Sequence, residues 1–315
     1  MFVVISLLIF VFSLLGLWFS SEIILKSVGR LCGKLHLPPF IVSFFILGFL
    51  TSLPEMNIGI SSIIKKTPDI FVGNLTGASV VLFLLIIPLL AVLGNGIILS
   101  RQLPKKKLIL SILTIITPLL LLLDGYLNYF DAFVLITAYF LLISSIKHKR
   151  RLFQKIITTK NKTITFNPVM ELGKIIIGSI LIYSFSQTLV SRTIYFAKLL
   201  HTPVLIISFL LLSLGTNLPE LAITIKAIIS HKKEIAFGTY VGSAVVNTLL
   251  LGFLTLINGQ FAVVGNGFLL TLIVFSFGLF LFYRFSTTKN DISREEGLVL
   301  LFLYLFLISI KIFQI

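Results

Sequence analysis

The chain contains few acidic residues, almost no cysteine and little charge of either sign. Only 11 of its 315 residues are Asp or Glu, one is Cys and four are His. A single cysteine excludes a disulfide framework and a cysteine-based metal site. Charged residues make up 12% of the chain and hydrophobic residues 57%, and the mean hydropathy is +1.11. This composition excludes an ordinary soluble globular domain.

Long apolar runs occupy most of the sequence. A membrane-spanning helix needs roughly 20 mostly apolar residues, and about ten stretches fit that description. The runs lack the alternation of barrel strands, so we predict an all-α polytopic membrane protein. The predicted spans are 2–24, 39–64, 70–93, 108–123, 131–146, 169–197, 203–229, 235–257, 267–283 and 297–313.

The net charge of +15 follows the loops between these spans. If the N-terminus is outside, the inside loops hold about four times as many Lys and Arg residues as the outside loops. Positive charge marks cytoplasmic loops, so we predict that both termini lie outside. The basic stretch 147–168 then becomes a cytoplasmic connector. The expected surroundings are therefore a lipid bilayer, and nucleic acid is not an expected partner.

The sequence repeats itself at an offset of 165 residues, the separation of Glu55 and Glu220. The register holds over about 60 residues without a gap, which indicates an internal duplication. The matching stretches are LTSLPE at 50–55 with GTNLPE at 215–220, and GNLTGASVV at 73–81 with GTYVGSAVV at 238–246.

Each copy lies within a half that has five predicted spans. An odd number of spans turns the second copy upside down, which is the inverted-repeat arrangement of many secondary transporters. We predict one half at 1–146 with its repeat at about 38–95, and the other at 169–315 with its repeat at about 203–260.

Each repeat places a proline and a glutamate inside a predicted span. Pro54 removes a backbone donor and should leave the carbonyl of Leu50 without its usual partner. A carboxylate at membrane depth is costly and is usually functional. Glu55 and Glu220, together with carbonyl and hydroxyl oxygens, would form an oxygen-only site that suits Ca²⁺. Without a cation the two carboxylates would repel, and at least one should take up a proton.

These motifs resemble the two α-repeats of the sodium/calcium exchanger, or calcium/cation antiporter, superfamily. The stretches 73–83 and 238–248 are similar to its GNxxGSNxxN element, and the short central loop resembles compact prokaryotic members. The resemblance implies ten helices as two inverted five-helix repeats in a prokaryotic plasma membrane. It implies inorganic cations as cargo and no enzymatic cofactor.

The resemblance also implies a set of metal ligands. Glu55 and Glu220 match the principal Ca²⁺ ligands, which also serve neighbouring sodium sites. The remaining matched positions supply neutral oxygens: Thr51 and Thr216 for Ca²⁺; Ser52, Asn217 and the backbone near Gly48 and Ser213 for flanking sodium sites; and Ser243 and Asn247 on the helix that follows the second motif.

The first repeat departs from the family element at two positions. Ala78 and Leu82 stand where the element has Ser and Asn. Ser79 cannot simply substitute, because one residue along a helix is about 100° of rotation. One flanking sodium site therefore loses a hydroxyl and the central site loses an amide. This leaves the coupling ion open between sodium and protons.

The leading hypothesis is a secondary antiporter that moves Ca²⁺, or a similar divalent cation such as Mn²⁺ or Mg²⁺, against Na⁺ or H⁺. A cation/proton exchanger without sodium coupling and a transport-dead relative are alternatives, both motivated by Leu82. A channel could use the same acids as a selectivity ring, although inverted halves with one acidic pair favour an antiporter. A membrane enzyme could use them as acid and base, but no nucleophile motif, histidine set or phosphate loop accompanies them. The oligomeric state is left open.

Overall fold

The structure is a computed structural model that describes residues 2–32, 48–98, 105–147, 168–229, 233–259, 262–263, 268–288 and 291–313. Residues 148–167 of the predicted connector and residues 39–47 of the second predicted span lie outside the described residues. The same holds for residues 38–47 of the first predicted repeat.

The described residues of the first half are almost entirely helical. A π-helical turn at Leu82–Ile86 joins its fourth and fifth helices, and a 3₁₀ turn at Leu122–Asp124 follows the sixth. The helices are α1 (Phe2–Cys32), α2 (Gly48–Thr51), α3 (Leu53–Ile64), α4 (Asp69–Val81), α5 (Ile87–Leu93), α6 (Lys105–Leu121) and α7 (Tyr129–Lys147).

The described residues of the second half are also mostly helical. A π-helical turn at Ser208–Leu212 joins its second and third helices. The helices are α8 (Pro168–Leu199), α9 (Val204–Ile207), α10 (Ser213–Thr216), α11 (Leu218–Ile229), α12 (Lys233–Asn258), α13 (Phe268–Thr288) and α14 (Arg294–Phe313). The single helix α12 corresponds to α4, the π-helical turn and α5 of the first half.

The 165-residue duplication is also visible in the secondary structure of the two halves. A shift of 165 residues superimposes α2 on α10, and α3 on α11, end for end. It also relates two short antiparallel ribbons, in which β1 (Ile97–Ile98) pairs with β4 (Asp291–Ile292) and β2 (Tyr126–Leu127) with β3 (Ala262–Val263). Each ribbon joins one half to the other, so the halves are related by a pseudo-two-fold axis.

The predicted spans agree with the helices that the structure describes. The largest difference is at α1, which continues to Cys32. Five helical stretches are long and apolar enough to cross a membrane, by length and composition. They are Val3–Ser20, Asp69–Leu93, Lys105–Asp124, Phe237–Asn258 and Phe268–Thr288. Leu8 and Phe12 expose about two-thirds of their surface on the outer face of α1, as lipid-facing side chains do. The protein is therefore an all-α polytopic membrane protein.

The apolar interior forms two separate clusters. The larger one surrounds α4, α5 and α12, whose side chains are mostly buried. The smaller one lies between α1, α8 and the helices that carry the repeated motifs. In it Phe10 of α1 meets Phe196 of α8 edge to face, with ring centroids 5.7 Å apart. The helices α1 and α8 therefore form a pair with a packing surface of their own beside the main bundle.

The π-helical turn at Leu82–Ile86 breaks the symmetry between the halves. Pro88 lacks the N–H that would bond the carbonyl of Leu84, and one wider turn is a common way to accommodate such a gap. The equivalent residue in the second half is Phe253, and α12 runs as an α-helix through that region. The first half therefore changes helical geometry at the residue where the sequence already departs from its repeat.

A second proline, in α6, leaves a carbonyl to which α12 donates a hydrogen bond. Pro118 lies inside α6 and cannot donate to the carbonyl of Thr114. The hydroxyl of Thr248 donates to that carbonyl from α12, at 3.2 Å. Because Thr248 follows Asn247 directly, this bond anchors α12 next to a predicted cation ligand.

Candidate cation site

Both LPE motifs begin a new helix. The preceding residues, Ser52 (φ −87°, ψ 5°) and Asn217 (φ −85°, ψ 11°), leave helical geometry, and α3 and α11 start immediately after them. Pro54 is the second residue of α3, where a backbone N–H has no partner within the helix. The break is therefore a helix restart with a proline in its first turn.

The carbonyls one turn before each break are already hydrogen-bonded. Side chains from the break residues turn back onto the carbonyl oxygens of Gly48 and Ser213. The four bonds are from Thr51 Oγ1 (3.3 Å) and Ser52 Oγ (3.0 Å) to Gly48, and from Thr216 Oγ1 (3.2 Å) and Asn217 Nδ2 (2.7 Å) to Ser213. A cation that used either carbonyl would have to share it with these donors.

The two glutamates form a buried, uncompensated acidic pair. Glu55 is 1% exposed and Glu220 0% exposed, and their carboxylates are close enough to repel each other. Glu55 lies beside Thr216 and Glu220 beside Thr51, so each acid neighbours a hydroxyl of the other repeat. Within the described residues, no Lys or Arg forms an ion pair with either glutamate. Their charge must therefore be balanced by protons or by bound cations.

A polar chain crosses from one repeat to the other beside Glu220. The hydroxyls of Ser52 and Ser243 lie 3.0 Å apart, and Ser243 donates to Glu220 Oε1 at 3.2 Å. Ser52 and Ser243 each have a single proton, so when Ser243 donates to the carboxylate it accepts from Ser52, and Ser52 then no longer donates to the carbonyl of Gly48. The predicted ligands Ser52, Ser243 and Glu220 are thus in direct contact.

Several buried polar atoms around the acids have no hydrogen-bond partner among the described residues. Leaving such atoms unsatisfied is costly, and a group of them marks a place for water or an ion. The atoms are both oxygens of Glu55, Glu220 Oε2, Asn217 Oδ1, Asn247 Oδ1 and Nδ2, and Asn74 Nδ2. Most are oxygens, which are the ligands that hard cations such as Ca²⁺ prefer.

Glycines allow the two repeats to touch backbone to backbone at this site. A Cβ on Gly48 would lie 2.7 Å from the carbonyl carbon of Gly242, and a Cβ on Gly77 would clash with the carbonyl oxygen of Phe209 and lie 2.8 Å from Ser213 Oγ. The 165-residue shift converts one contact into the other. These equivalent close approaches hold the two broken helices against α12 and α4.

The predicted polar wall, Ser243 and Asn247, lies on α12, and the predicted apolar wall, Ala78 and Leu82, lies on the equivalent helix and turn of the first half. Ser243 and Asn247 are buried on α12, whereas Ala78 and Leu82 are buried at the equivalent places in the first half. The Ser52–Ser243 contact has no counterpart for Asn217, because the residue at the equivalent position is Ala78. Leu82 is also the first residue of the π-helical turn.

All ten predicted site residues are buried, but the prediction omitted residues that touch them. Asn74 accepts a hydrogen bond from Thr216 Oγ1 at 3.3 Å. Its place in the repeated GNLTG motif was a usable signal. Tyr240 and Thr224 contact the backbone of Glu220. Their partners in the repeat are apolar, so the repeat gave no signal for them. The described residues contain no group of three or more His, Cys, Asp or Glu, so a cation here depends on two carboxylates and neutral oxygens.

Two inverted repeats that enclose a buried acidic pair define a polytopic membrane protein of the secondary-transporter class. The chain belongs to the sodium/calcium exchanger protein family, whose model matches residues 5–146 and 171–313. This is a family of exchangers and not of enzymes.

Known proteins of this kind are similar to the chain over nearly its whole length. The sodium/calcium exchanger MaX1 of Methanosarcina acetivorans is 24% identical, with 94% of this chain and 96% of that protein covered. A solved structure of the sodium-calcium exchanger NCX_Mj has a TM-score of 0.67 at 22% identity, covering 98% of this chain and 99% of the other. The H⁺/Ca²⁺ exchanger CAX has a TM-score of 0.77 at 15% identity, covering 96% and 82%. At these identities the two structures show a shared fold.

Proposed function

We propose that the chain is a secondary antiporter that exchanges Ca²⁺, or a similar divalent cation, for Na⁺ or H⁺. The observation that carries this proposal is the buried and uncompensated pair of Glu55 and Glu220. Two carboxylate charges balance one divalent cation, two monovalent cations or two protons, so the candidate cargoes compete for one site. The names of the similar proteins, a sodium/calcium exchanger and an H⁺/Ca²⁺ exchanger, support both kinds of coupling.

The proposed ligands divide into charged and neutral oxygens. Glu55 and Glu220 bind the divalent cation from opposite repeats, and Thr51 and Thr216 add oxygens beside them. Monovalent cations use the flanking positions at Ser52, Asn217, Ser243 and Asn247, together with the carbonyls of Gly48 and Ser213. The unpartnered oxygens of Asn217 and Asn247 support this assignment.

Alternating access is proposed to occur by movement of α1 and α8 as a pair. The two helices pack along each other and meet the rest of the protein through the smaller apolar cluster. Leu14 of α1 lies against Gly215, two residues before the second break at Asn217. A shift of this pair would uncover the acids toward one side of the membrane and cover them toward the other. We place both termini outside and the connector 147–168 in the cytoplasm.

Divalent cation affinity is expected to fall as the pH is lowered from about 7.5 to about 5. Protons and the cation compete for the same carboxylate oxygens, so each proton displaced on binding weakens affinity by up to about tenfold per pH unit. The measurement is equilibrium binding of calcium-45 to purified protein at fixed ionic strength. Affinity that is constant across this range would contradict a shared acidic site.

The apolar wall is expected to weaken sodium coupling. The double variant Ala78→Ser, Leu82→Asn restores a hydroxyl and an amide, and should strengthen sodium-driven calcium uptake by at least about fivefold, since one added polar contact alone usually gives about that gain. Calcium affinity should change less, because the two carboxylates supply most of the binding. The control is Ala244→Ser, which adds a hydroxyl to α12 one residue from the site face. Exchange of three or more sodium ions per calcium ion by the unmodified protein would contradict this interpretation.

The dependence of calcium release on a counter-ion distinguishes an antiporter from a channel that uses the same acids. Vesicles loaded with calcium-45 should retain it in a counter-ion-free medium and release it when Na⁺ or protons are supplied. Release at full rate without any counter-ion would show that the protein is a channel and contradict the antiporter proposal.

A further inference from the structure

Glu220 is tied to α12 at both its side chain and its backbone. Its Oε1 accepts a hydrogen bond from Ser243 at 3.2 Å. Its backbone carbonyl accepts one from Thr224 Oγ1 of its own helix at 2.8 Å. Thr224 uses its single proton there, so the Tyr240 hydroxyl of α12 donates to Thr224 Oγ1 at 2.5 Å and lies 3.4 Å from the carbonyl itself. Ser243 lies one turn after Tyr240 on α12, so one face of α12 reaches the side chain of Glu220 through Ser243 and its backbone through Tyr240 and Thr224.

Tyr240 is the central member of this anchor. It is 0% exposed, and its hydroxyl lies 2.5 Å from Thr224 Oγ1. A buried tyrosine hydroxyl is costly unless it finds a partner, so this contact fixes the ring and the first turns of α11 together. Tyr240 therefore links α12 to the helix that carries Glu220 in its first turn.

The first repeat lacks every member of the anchor. The residues equivalent to Tyr240, Thr224 and Ser243 are Leu75, Gly59 and Ala78, and none has a side-chain hydrogen-bonding group. Neither oxygen of Glu55 has a hydrogen-bond partner among the described residues.

The threonine beside Glu55 does not replace the missing anchor. Thr216 lies next to Glu55, but its hydroxyl points to Asn74 Oδ1 and to the carbonyl of Ser213. The two acids therefore occupy equivalent positions in the repeat and have very different support.

We infer that the two glutamates are functionally unequal. Glu220 is a fixed ligand, for which Tyr240 and Thr224 are positioning residues, and Glu55 is the mobile ligand that reorients when the cation binds and leaves. This inference rests on the proposed function and assigns different roles to the two acids of its site. A held carboxylate loses little freedom on binding, which favours affinity, while an unsupported carboxylate can follow the cation during exchange.

The first test is calcium-45 equilibrium binding to the purified full chain. Tyr240→Phe keeps the ring and removes the hydroxyl, and we expect about fivefold weaker binding, the effect of one hydrogen bond. Thr224→Val should act in the same direction. The matched controls are Tyr304→Phe, at a buried tyrosine of α14, and Thr255→Val, at a buried threonine of α12 that bonds only its own helix. Both controls should bind as the unmodified protein does.

The second test shortens each acid by one methylene. Glu220→Asp should weaken calcium binding at least about tenfold more than Glu55→Asp, because an anchored backbone cannot follow the shortened side chain. Adding Tyr240→Phe should reduce that difference, which a double-mutant cycle measures. A purely structural role for Tyr240 would lower stability without this coupling.

The outcomes separate the inference from the function on which it rests. Equal losses for the two Asp variants, or unchanged binding in both Tyr240→Phe and Thr224→Val, would overturn the inequality. Failure of the unmodified protein to bind Ca²⁺, Mn²⁺ or Mg²⁺ would instead overturn the proposed function. Gel filtration identifies any variant that fails to fold, and Thr224→Val then carries the test in place of Tyr240→Phe.

Discussion

Replacement of Glu55 or Glu220 by glutamine is expected to abolish divalent cation transport and leave the fold intact. Each substitution keeps the shape of the side chain and removes one of only two ligand charges. At the effective dielectric constant of a protein, a carboxylate charge in contact with a bound ion contributes about 4 kcal/mol to the binding free energy. Loss of that charge should therefore lower affinity by more than about a hundredfold. The fold should tolerate the change, because neither acid forms an ion pair in the described structure and their mutual repulsion is relieved.

The measurement combines calcium-45 transport in proteoliposomes with thermal unfolding in detergent. The control is Glu295→Gln, at an exposed glutamate in the first turn of α14, which should leave transport unchanged. We expect both site variants to show less than about a tenth of the unmodified rate with an unfolding temperature that is not lowered. Transport above that level in either variant would show that the substituted glutamate is not an essential ligand of the site.

Alanine at Gly48 is expected to impair transport nearly as severely, for a steric reason. Its Cβ would lie 2.7 Å from the carbonyl carbon of Gly242 and 2.9 Å from the backbone nitrogen of Ser243, and backbone atoms cannot move aside as side chains do. The broken helix and α12 would have to separate, at a cost of about 1–3 kcal/mol of overpacking. Because Ser52 and Ser243 face each other across this contact, the separation would also spread the ligands. We expect at least about a tenfold loss of transport.

Two further glycines calibrate this result. Gly77→Ala probes the equivalent contact in the other repeat and should behave like Gly48→Ala, since its Cβ would clash with the backbone carbonyl oxygen of Phe209. Gly173→Ala adds the same methyl group to α8 where nothing lies within 4 Å, and should be neutral or slightly stabilising through helix propensity. Normal transport in Gly48→Ala would show that the close approach is dispensable.

The helices, the duplication and the acidic pair could be predicted because each leaves a local signal. Apolar runs give the spans, and a single offset carries the two LPE motifs. The same offset also relates structural features, such as the two short β-ribbons, that have no sequence motif of their own. The ribbon pair Ile97 with Ile292 is equivalent to the pair Leu127 with Ala262. The sequence therefore contained more of the symmetry than the motifs alone revealed.

The features that the sequence did not predict depend on distances between elements. The Ser52–Ser243 contact joins residues of opposite repeats, and no local pattern brings them together. The prolines are visible in the sequence, but the effect of each on its helix depends on its position, and Pro118 lies inside α6 without ending it. Pro54 falls in a first turn, where its missing donor is harmless, whereas Pro88 follows a π-helical turn. Tyr240 was overlooked because its equivalent is Leu75, so comparison of the repeats concealed it.

The most direct test of the central claim is calcium-45 uptake into proteoliposomes under sodium, potassium and proton gradients that are imposed separately. We predict that an outward-directed gradient of Na⁺ or H⁺ drives uptake, that a potassium gradient alone does not, and that Glu55→Gln and Glu220→Gln remove the driven component. Uptake that is independent of every counter-ion gradient, or driven uptake that persists in both glutamine variants, would contradict an antiporter built on these two acids.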